Sequence, residues 1–193
     1  MSSTDDAKTH PEQKELLRDR SELSWETLRA DFPVLEQEVH GRPLAYLDNA
    51  ASSQMPKPVL DEIVWYQTRA HSNVHRGVHA LSQRATDAYE LARQRIAELI
   101  NAPSADQCIF TKGATEAINL VMYAWGLENV GEGDEILISE LEHHANIVPW
   151  QMLCERTGAR LKVMPIDARG EWVFEDFDAL LGERTALVAL SHV

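Results

Sequence analysis

The stretch Thr111-Lys112-Gly113-Ala114-Thr115-Glu116-Ala117-Ile118-Asn119-Leu120 holds the residues of this 193-residue chain best suited to chemistry. A Gly-Ala-Thr turn lies between a short apolar run, Cys108-Ile109-Phe110, and a helical pattern, and it leaves several backbone N–H groups without intrahelical partners. Those groups, the positive end of the helix dipole and the Thr115 hydroxyl suit a phosphate. The same residues also read as an ordinary strand-to-helix turn with Thr115 as N-cap. Glu142-His143-His144-Ala145-Asn146 follows a predicted strand and opens a predicted helix, where a flat imidazole can stack on an aromatic cofactor or shuttle a proton. The alternative there is one histidine packed in the core and one solvated. His71, His75 and His79 recur every four residues, which on a helix would align metal ligands. Asn73 and Gly77 interrupt any helix there, so no metal site is expected. Arg76 stands ready to meet a carboxylate or phosphate. Cys108 and Cys154 lack the exposed, electropositive surroundings of reactive thiols and read as core residues.

Elements must position these groups. Strands are predicted at Gln107–Thr111, Glu135–Ser139, Arg160–Pro165 and Thr185–Ser191. Helices are predicted at Thr115–Ala124, around Asn146–Thr157 and around Glu175–Leu181. Such alternation argues for a mostly parallel sheet with helices on its faces. Ligands of such sheets gather at the carboxyl ends of the strands, where Lys112–Thr115, the His143 run and Ser191-His192 all fall. Upstream, residues 1 to about 14 read as a mobile tail, and Glu15 to Asp31 turns helical with Ser24 as an N-cap. Gly41-Arg42-Pro43 reads as a turn and Leu44–Leu47 as a short strand. Asp48-Asn49-Ala50-Ala51-Ser52-Ser53, all small or polar, either lets backbone approach a ligand or is a simple turn. Pro56 and Pro58 open a helix through Tyr66. Ser82–Ile100 is the clearest amphipathic helix, with Ala85, Tyr89, Ile96 and Leu99 on its apolar face. The chain stops at the end of an apolar strand, which reads as a sheet cut short.

Acidic residues outnumber basic ones, 31 to 18, for a net charge of -13. With no basic stripe, nucleic acid is not an expected partner. No run reaches the length of a membrane span, and the N-terminus lacks the apolar core of a signal peptide. Two cysteines offer no disulfide framework, so a cytoplasmic location is the simplest expectation.

Taken in order and spacing, Arg29-Ala30-Asp31-Phe32-Pro33-Val34-Leu35, Leu44-Ala45-Tyr46-Leu47-Asp48-Asn49-Ala50-Ala51-Ser52 and Val74-His75-Arg76-Gly77-Val78-His79 match one known pattern. With Gly113–Leu120 and Glu142-His143-His144-Ala145-Asn146-Ile147-Val148-Pro149-Trp150-Gln151, they resemble SufS-type (group II) cysteine desulfurases. These are class V, fold-type I enzymes that use pyridoxal 5′-phosphate (PLP). The resemblance runs from about Ser24 to Val193. It implies an α/β large domain with a mostly parallel seven-stranded sheet and helices on both faces. Residues 24–193 would be the N-terminal part of that domain, and residues 1–23 a tail and short helical segment before it. Ala114 and Thr115 would hold the PLP phosphate. His143 would stack on the pyridine ring and move protons. Ala50 and Ala51 would lie near the substrate, while His75 and Arg76 line the mouth of the site near a dimer interface, Arg76 pairing with Glu116. SufS-type enzymes often carry Thr where this chain has Ala114, and Ala is usual in the related IscS branch.

The implied reaction takes sulfur from L-cysteine, leaving L-alanine and a persulfide on an enzyme cysteine for iron–sulfur cluster assembly. A homodimer and a SufE-like acceptor are the implied partners. The family's Schiff-base lysine, pyridinium-partner aspartate, nucleophilic cysteine and carboxylate-binding arginine would all lie beyond Val193. None of Lys57, Lys112 or Lys162 matches the lysine motif, so these 193 residues alone are expected to be inactive. The alternatives are a selenocysteine lyase or cysteine sulfinate desulfinase of the same fold, or a non-catalytic phosphate-binding module.

Overall fold

Ser24 caps the first helix, as its sequence predicts. The Thr27 N–H donates to the Ser24 hydroxyl at 3.2 Å and the Ser24 N–H donates to Thr27 Oγ1 at 2.9 Å, a capping box for α1 (Trp25–Ala30). The computed structural model describes residues 24–191, so the expected tail, the earlier part of the helical pattern and His192-Val193 lie outside the described residues. The chain divides into two compact units, Met1–Arg95 and Ile96–Val193.

In the first unit a 3-10 turn at Pro33–Glu36 follows α1. Arg29 donates to the carbonyls of Leu35 and Leu44, each at 2.8 Å. Between those two residues lies a hairpin of β1 (Glu38–Val39) and β2 (Arg42–Pro43). His40 and Gly41 fill its two central positions with φ of 54° and 70°, the left-handed pair that a type I′ turn requires. The turn therefore sits one residue earlier than predicted. The strand expected at Leu44–Leu47 is displaced with it, because the turn fixes the register and pairing ends where the Leu44 N–H meets Gln37 O. α2 (Lys57–Trp65) closes in a π turn, Tyr66–Ala70. After a non-helical stretch comes α3 (Ala80–Leu99), whose last residues, from Ile96, belong to the second unit. Its expected apolar face is only partly buried: Ala85 is covered, while Tyr89, Ile96 and Leu99 are exposed, and the covered Ala97 lies outside that predicted set.

In the second unit, Cys108-Ile109-Phe110 corrects a prediction. Cys108 is buried and extended, but the segment joins no sheet among the described residues. Extended backbone becomes a strand only when a neighbouring strand takes up its N–H and C=O groups. α4 (Ala114–Val121) continues through a π turn, Met122–Gly126, into α5 (Leu127–Asn129). Then β3 (Glu135–Ser139) forms the centre of a parallel sheet of order β4-β3-β5, with β4 (Arg160–Met164) and β5 (Thr185–Ala189) at its sides. An unbroken Ile-Leu-Ile run suits this central place, since both faces of a parallel strand are buried. α6 (Val148–Thr157) connects β3 to β4, and α7 (Phe174–Leu180) connects β4 to β5.

Ile136 and Ile138 pack with Met122, Trp150 and Leu153 in one core. On the opposite face of the sheet, Lys162 pairs in register with Leu137 and donates to Leu180 O of α7 at 3.1 Å. Helices therefore cover both faces, and the α/β expectation holds, with three parallel strands among the described residues where the resemblance implies seven for a whole domain. Among the described residues no helix is long and apolar enough to cross a membrane.

α6 ends at Gly158, whose φ of 78° places it in the left-handed region and whose N–H closes on Cys154 O at 2.9 Å. A Cβ there would also come within 3.2 Å of Glu132 Cγ. Gly158→Ala is expected to lower stability by about 1–2 kcal/mol in urea unfolding. An unchanged midpoint would contradict this account of the cap.

Candidate functional site

Two side-chain bonds shape the turn before α4. Thr111 Oγ1 donates to Gly113 O at 3.2 Å, and the Lys112 N–H donates to the Glu116 carboxylate at 2.5 Å. Gly113, not Thr115, is the N-cap, so Ala114, Thr115 and Glu116 form the first turn of the helix. Their N–H groups precede the first intrahelical bond, from Ala117 N–H to Gly113 O at 3.1 Å. A Cβ on Gly113 would meet nothing within 4 Å, so the space beside the turn is open. Three donors and an exposed threonine hydroxyl at a helix N-terminus fit a phosphate.

β3 delivers the second group. His143 and His144 are both exposed, their rings edge to face at 6.1 Å, so neither is the core histidine that the alternative reading required. His143 caps the 3-10 turn His144–Asn146, its Nδ1 accepting the Ala145 N–H at 3.1 Å. A lone pair engaged at Nδ1 leaves the proton of the neutral ring on Nε2. The 3-10 turn packs against α4, which brings the phosphate-type turn and the His143 loop onto adjoining segments. Ala117, Ile118 and Val121 of α4, Asn146 and Trp150, and the end of β5 line a cavity of about 390 Å³.

Glu142, which sequence reasoning quoted but gave no role, is the most connected side chain of this region. Ser139 Oγ donates to it at 2.6 Å, Asn146 Nδ2 at 2.7 Å, and Ser191 through its N–H at 2.9 Å and its hydroxyl at 2.8 Å. Burial pushes this carboxyl up, but the bonds from Asn146, Ser139 and Ser191 outweigh that and hold it below the usual glutamate range. Asn146 also donates to Ala189 O at 3.1 Å and accepts the Trp150 indole N–H at 2.8 Å, so its amide orientation is fixed. The four-residue spacing of Glu142, Asn146 and Trp150 was the available signal.

The remaining predicted residues belong to the first unit. Ala50 and Ala51 are exposed on a tight turn in which the Ala51 and Ser52 N–H groups reach Asp48 O at 3.2 and 3.1 Å. Tyr46 Oη lies 2.6 Å from Ser52 O. His75 has a φ of 62°, its N–H donates to Thr86 Oγ1 at 2.9 Å, and its Nε2 lies 2.9 Å from Glu90 Oε1. Arg76 is exposed and forms no ion pair among the described residues. The three histidines serve three local purposes: His71 packs edge-on against Tyr66, His75 meets Glu90, and His79 Nδ1 accepts the Ser82 N–H. Among the described residues no group of three His, Cys, Asp or Glu could hold a metal ion. Cys108 is buried and Cys154 packs against the core, its thiol pushed up by burial, as expected of inert cysteines.

The family model for Aminotransferase class-V matches residues 45–193. The chain belongs to the class-V aminotransferase family. Among curated relatives, a probable cysteine desulfurase of Mycolicibacterium paratuberculosis is 54% identical, over 86% of this chain and 24% of that protein. A probable cysteine desulfurase of Synechocystis sp. is 51% identical over 86% of this chain and 40% of that protein. The chain thus spans about 40% or less of the length of these relatives. Of solved structures, a cysteine desulfurase from Thermococcus onnurineus aligns with a TM-score of 0.78 and 36% identity, over 87% of this chain and 40% of that one. A C-DES mutant with glycine covalently linked to its PLP cofactor aligns with a TM-score of 0.65 and 25% identity, over 85% and 40%. PLP is the cofactor of class-V aminotransferases.

Proposed function

We propose that this chain forms the phosphate-gripping part of a SufS-type cysteine desulfurase that takes sulfur from L-cysteine and leaves L-alanine. The observation that carries the reading is that α4, whose N-terminus is open, packs against the 3-10 turn that His143 caps. PLP, when bound, supplies an electron sink for charge developing on the amino-acid substrate. The N–H groups of Ala114 and Thr115 and the Thr115 hydroxyl would hold its phosphate. Alanine at 114 contributes through the backbone alone. His143, its Nδ1 occupied by the Ala145 N–H, offers an exposed ring face and a proton at Nε2. The family resemblance further assigns Ala50, Ala51, His75 and Arg76 to the surroundings of the substrate, and Arg76, exposed, is available to a carboxylate. Glu116 secures the cap through Lys112.

The finer parts of the reading are a homodimer, a SufE-like sulfur acceptor, a place in iron–sulfur cluster assembly and a cytoplasmic location. The first three rest on the resemblance of the motifs to SufS-type enzymes, and the last on two cysteines that offer no disulfide framework. The 193 residues by themselves are proposed not to turn over, because none of Lys57, Lys112 and Lys162 matches the family's attachment motif.

Titrating the chain with PLP and following the quenching of tryptophan fluorescence tests the site. Saturable binding that inorganic phosphate competes away is expected, and Thr115→Ala should weaken it about tenfold through loss of one charge-assisted bond. Borohydride treatment followed by peptide mass mapping should label no single lysine. Absence of saturable binding would sink the cofactor assignment. A stoichiometric adduct at one lysine would sink the claim of inactivity.

A further inference from the structure

We propose that Glu142 is the positioning residue of this site: its carboxylate gathers the ends of β3, β5 and α6 and thereby sets the orientation and tautomer of His143. The inference rests on the cofactor reading above but concerns a contact set that the reading does not use. Glu142 sits between Leu141, which is exposed, and His143, also exposed, yet is itself only 7% exposed. Its two oxygens receive donors from three separate elements: Ser139 at the carboxyl end of β3, Asn146 ahead of α6, and Ser191 just beyond β5. Among the described residues the other hydrogen bond that ties this loop to β5 runs from Asn146 to Ala189 O, and Asn146 is itself oriented by Glu142.

The consequence falls on the next residue. With Glu142 anchored on one side and Asn146 on the other, His143 is held at φ -68° and ψ 149°, the N-cap conformation in which its Nδ1 meets the Ala145 N–H. That one bond decides which ring nitrogen carries the proton. A neutral glutamine at 142 has one acceptor and two donor hydrogens. It cannot satisfy the donors of Ser139, Asn146 and Ser191 together, so the anchor loosens. His79 of the first unit, whose Nδ1 accepts the Ser82 N–H, serves as an internal control.

The test uses the full chain with nitrogen-15-labelled histidine, its ring signals read at pH 8. His143 in the unaltered protein should show the pattern of a single Nε2–H tautomer. Glu142→Gln should move His143 toward a tautomer mixture, leave His79 unchanged and weaken PLP binding about tenfold, the scale of a group misplaced without being removed. Ser191→Ala, a milder change, should shift His143 in the same direction, and Ser191→Thr, which keeps the hydroxyl, should restore it. Should Glu142→Gln fail to fold, the two serine variants carry the test. A His143 tautomer indifferent to Glu142→Gln in a folded protein, or to Ser191→Ala where that variant alone folds, overturns the proposal. A protein that fails to bind PLP while its His143 still responds to these substitutions upholds the positioning role and overturns only the cofactor reading.

Discussion

Leu153→Ala is expected to lower the stability of the chain by about 3–4 kcal/mol, the cost of removing a buried leucine and leaving a cavity behind. Leu153 is fully buried in the core between α6 and β3, with Met122, Ile136, Ile138 and Trp150 around it. Gly126, in the π turn that follows α4, faces the same side chain. A Cβ added there would stand 2.6 Å from Leu153 Cδ2 and 3.3 Å from Leu153 Cδ1. In a packed core the leucine has little room to withdraw, so Gly126→Ala should cost about 1–3 kcal/mol by overpacking. The two losses should not add. Once Leu153 is alanine, the methyl at 126 enters the space vacated, and the double variant should be at least about 1 kcal/mol better than the sum of the singles. Urea unfolding of the four proteins measures this cycle. Additive losses would mean that the two residues do not share a packing site.

That contact illustrates which parts of the fold the sequence disclosed. Strand–helix alternation from Glu135 onward was legible because Ile136-Leu137-Ile138, Val163 and Leu187 stand in short apolar runs separated by Gly-containing turns, and those turns stop each element near where the structure stops it. Cys108-Ile109-Phe110 has the same composition yet joins no sheet among the described residues, since apolar residues specify extended backbone but not which strand lies beside it. Leu44–Leu47 failed for a different reason. Two left-handed residues, His40 and Gly41, decide the hairpin register, and a histidine in that conformation gives no sign in the sequence. The close approach of Gly126 to Leu153 joins residues far apart in the chain, and no local pattern announces it.

The candidate site divides along the same line. Gly113-Ala114-Thr115 and His143 could be singled out because their chemistry is local: a cap, a helix start and an imidazole before a helix. Even there, the helix begins one residue before Thr115 and moves the cap to Gly113. Glu142 could be seen but not understood, because its meaning depends on Ser191, 49 residues downstream. A glutamate in an exposed loop and a glutamate clamped by three elements look alike until the chain closes on itself.

That closure gives the second large effect. Glu142→Gln is expected to cost about 2–4 kcal/mol at pH 7, because buried donors from Ser139, Asn146 and Ser191 then compete for one oxygen. The same argument fixes the pH dependence. The folded protein holds this carboxyl below its ordinary value of 4.5, so the unfolded chain binds its proton first as the pH falls. Stability from the group is complete above that ordinary value and drains away as the pH drops through the lower folded value. Asp167, also held below its usual range by the N–H groups of Glu171 and Arg169, adds to the acid loss in both proteins and cancels in the comparison. Unfolding curves from pH 7 to pH 3 should therefore show the unaltered chain and Glu142→Gln far apart at neutral pH and converging in acid. A gap that stays constant across the range would mean that the carboxylate's charge does nothing at this junction, and that only the shape of the side chain matters.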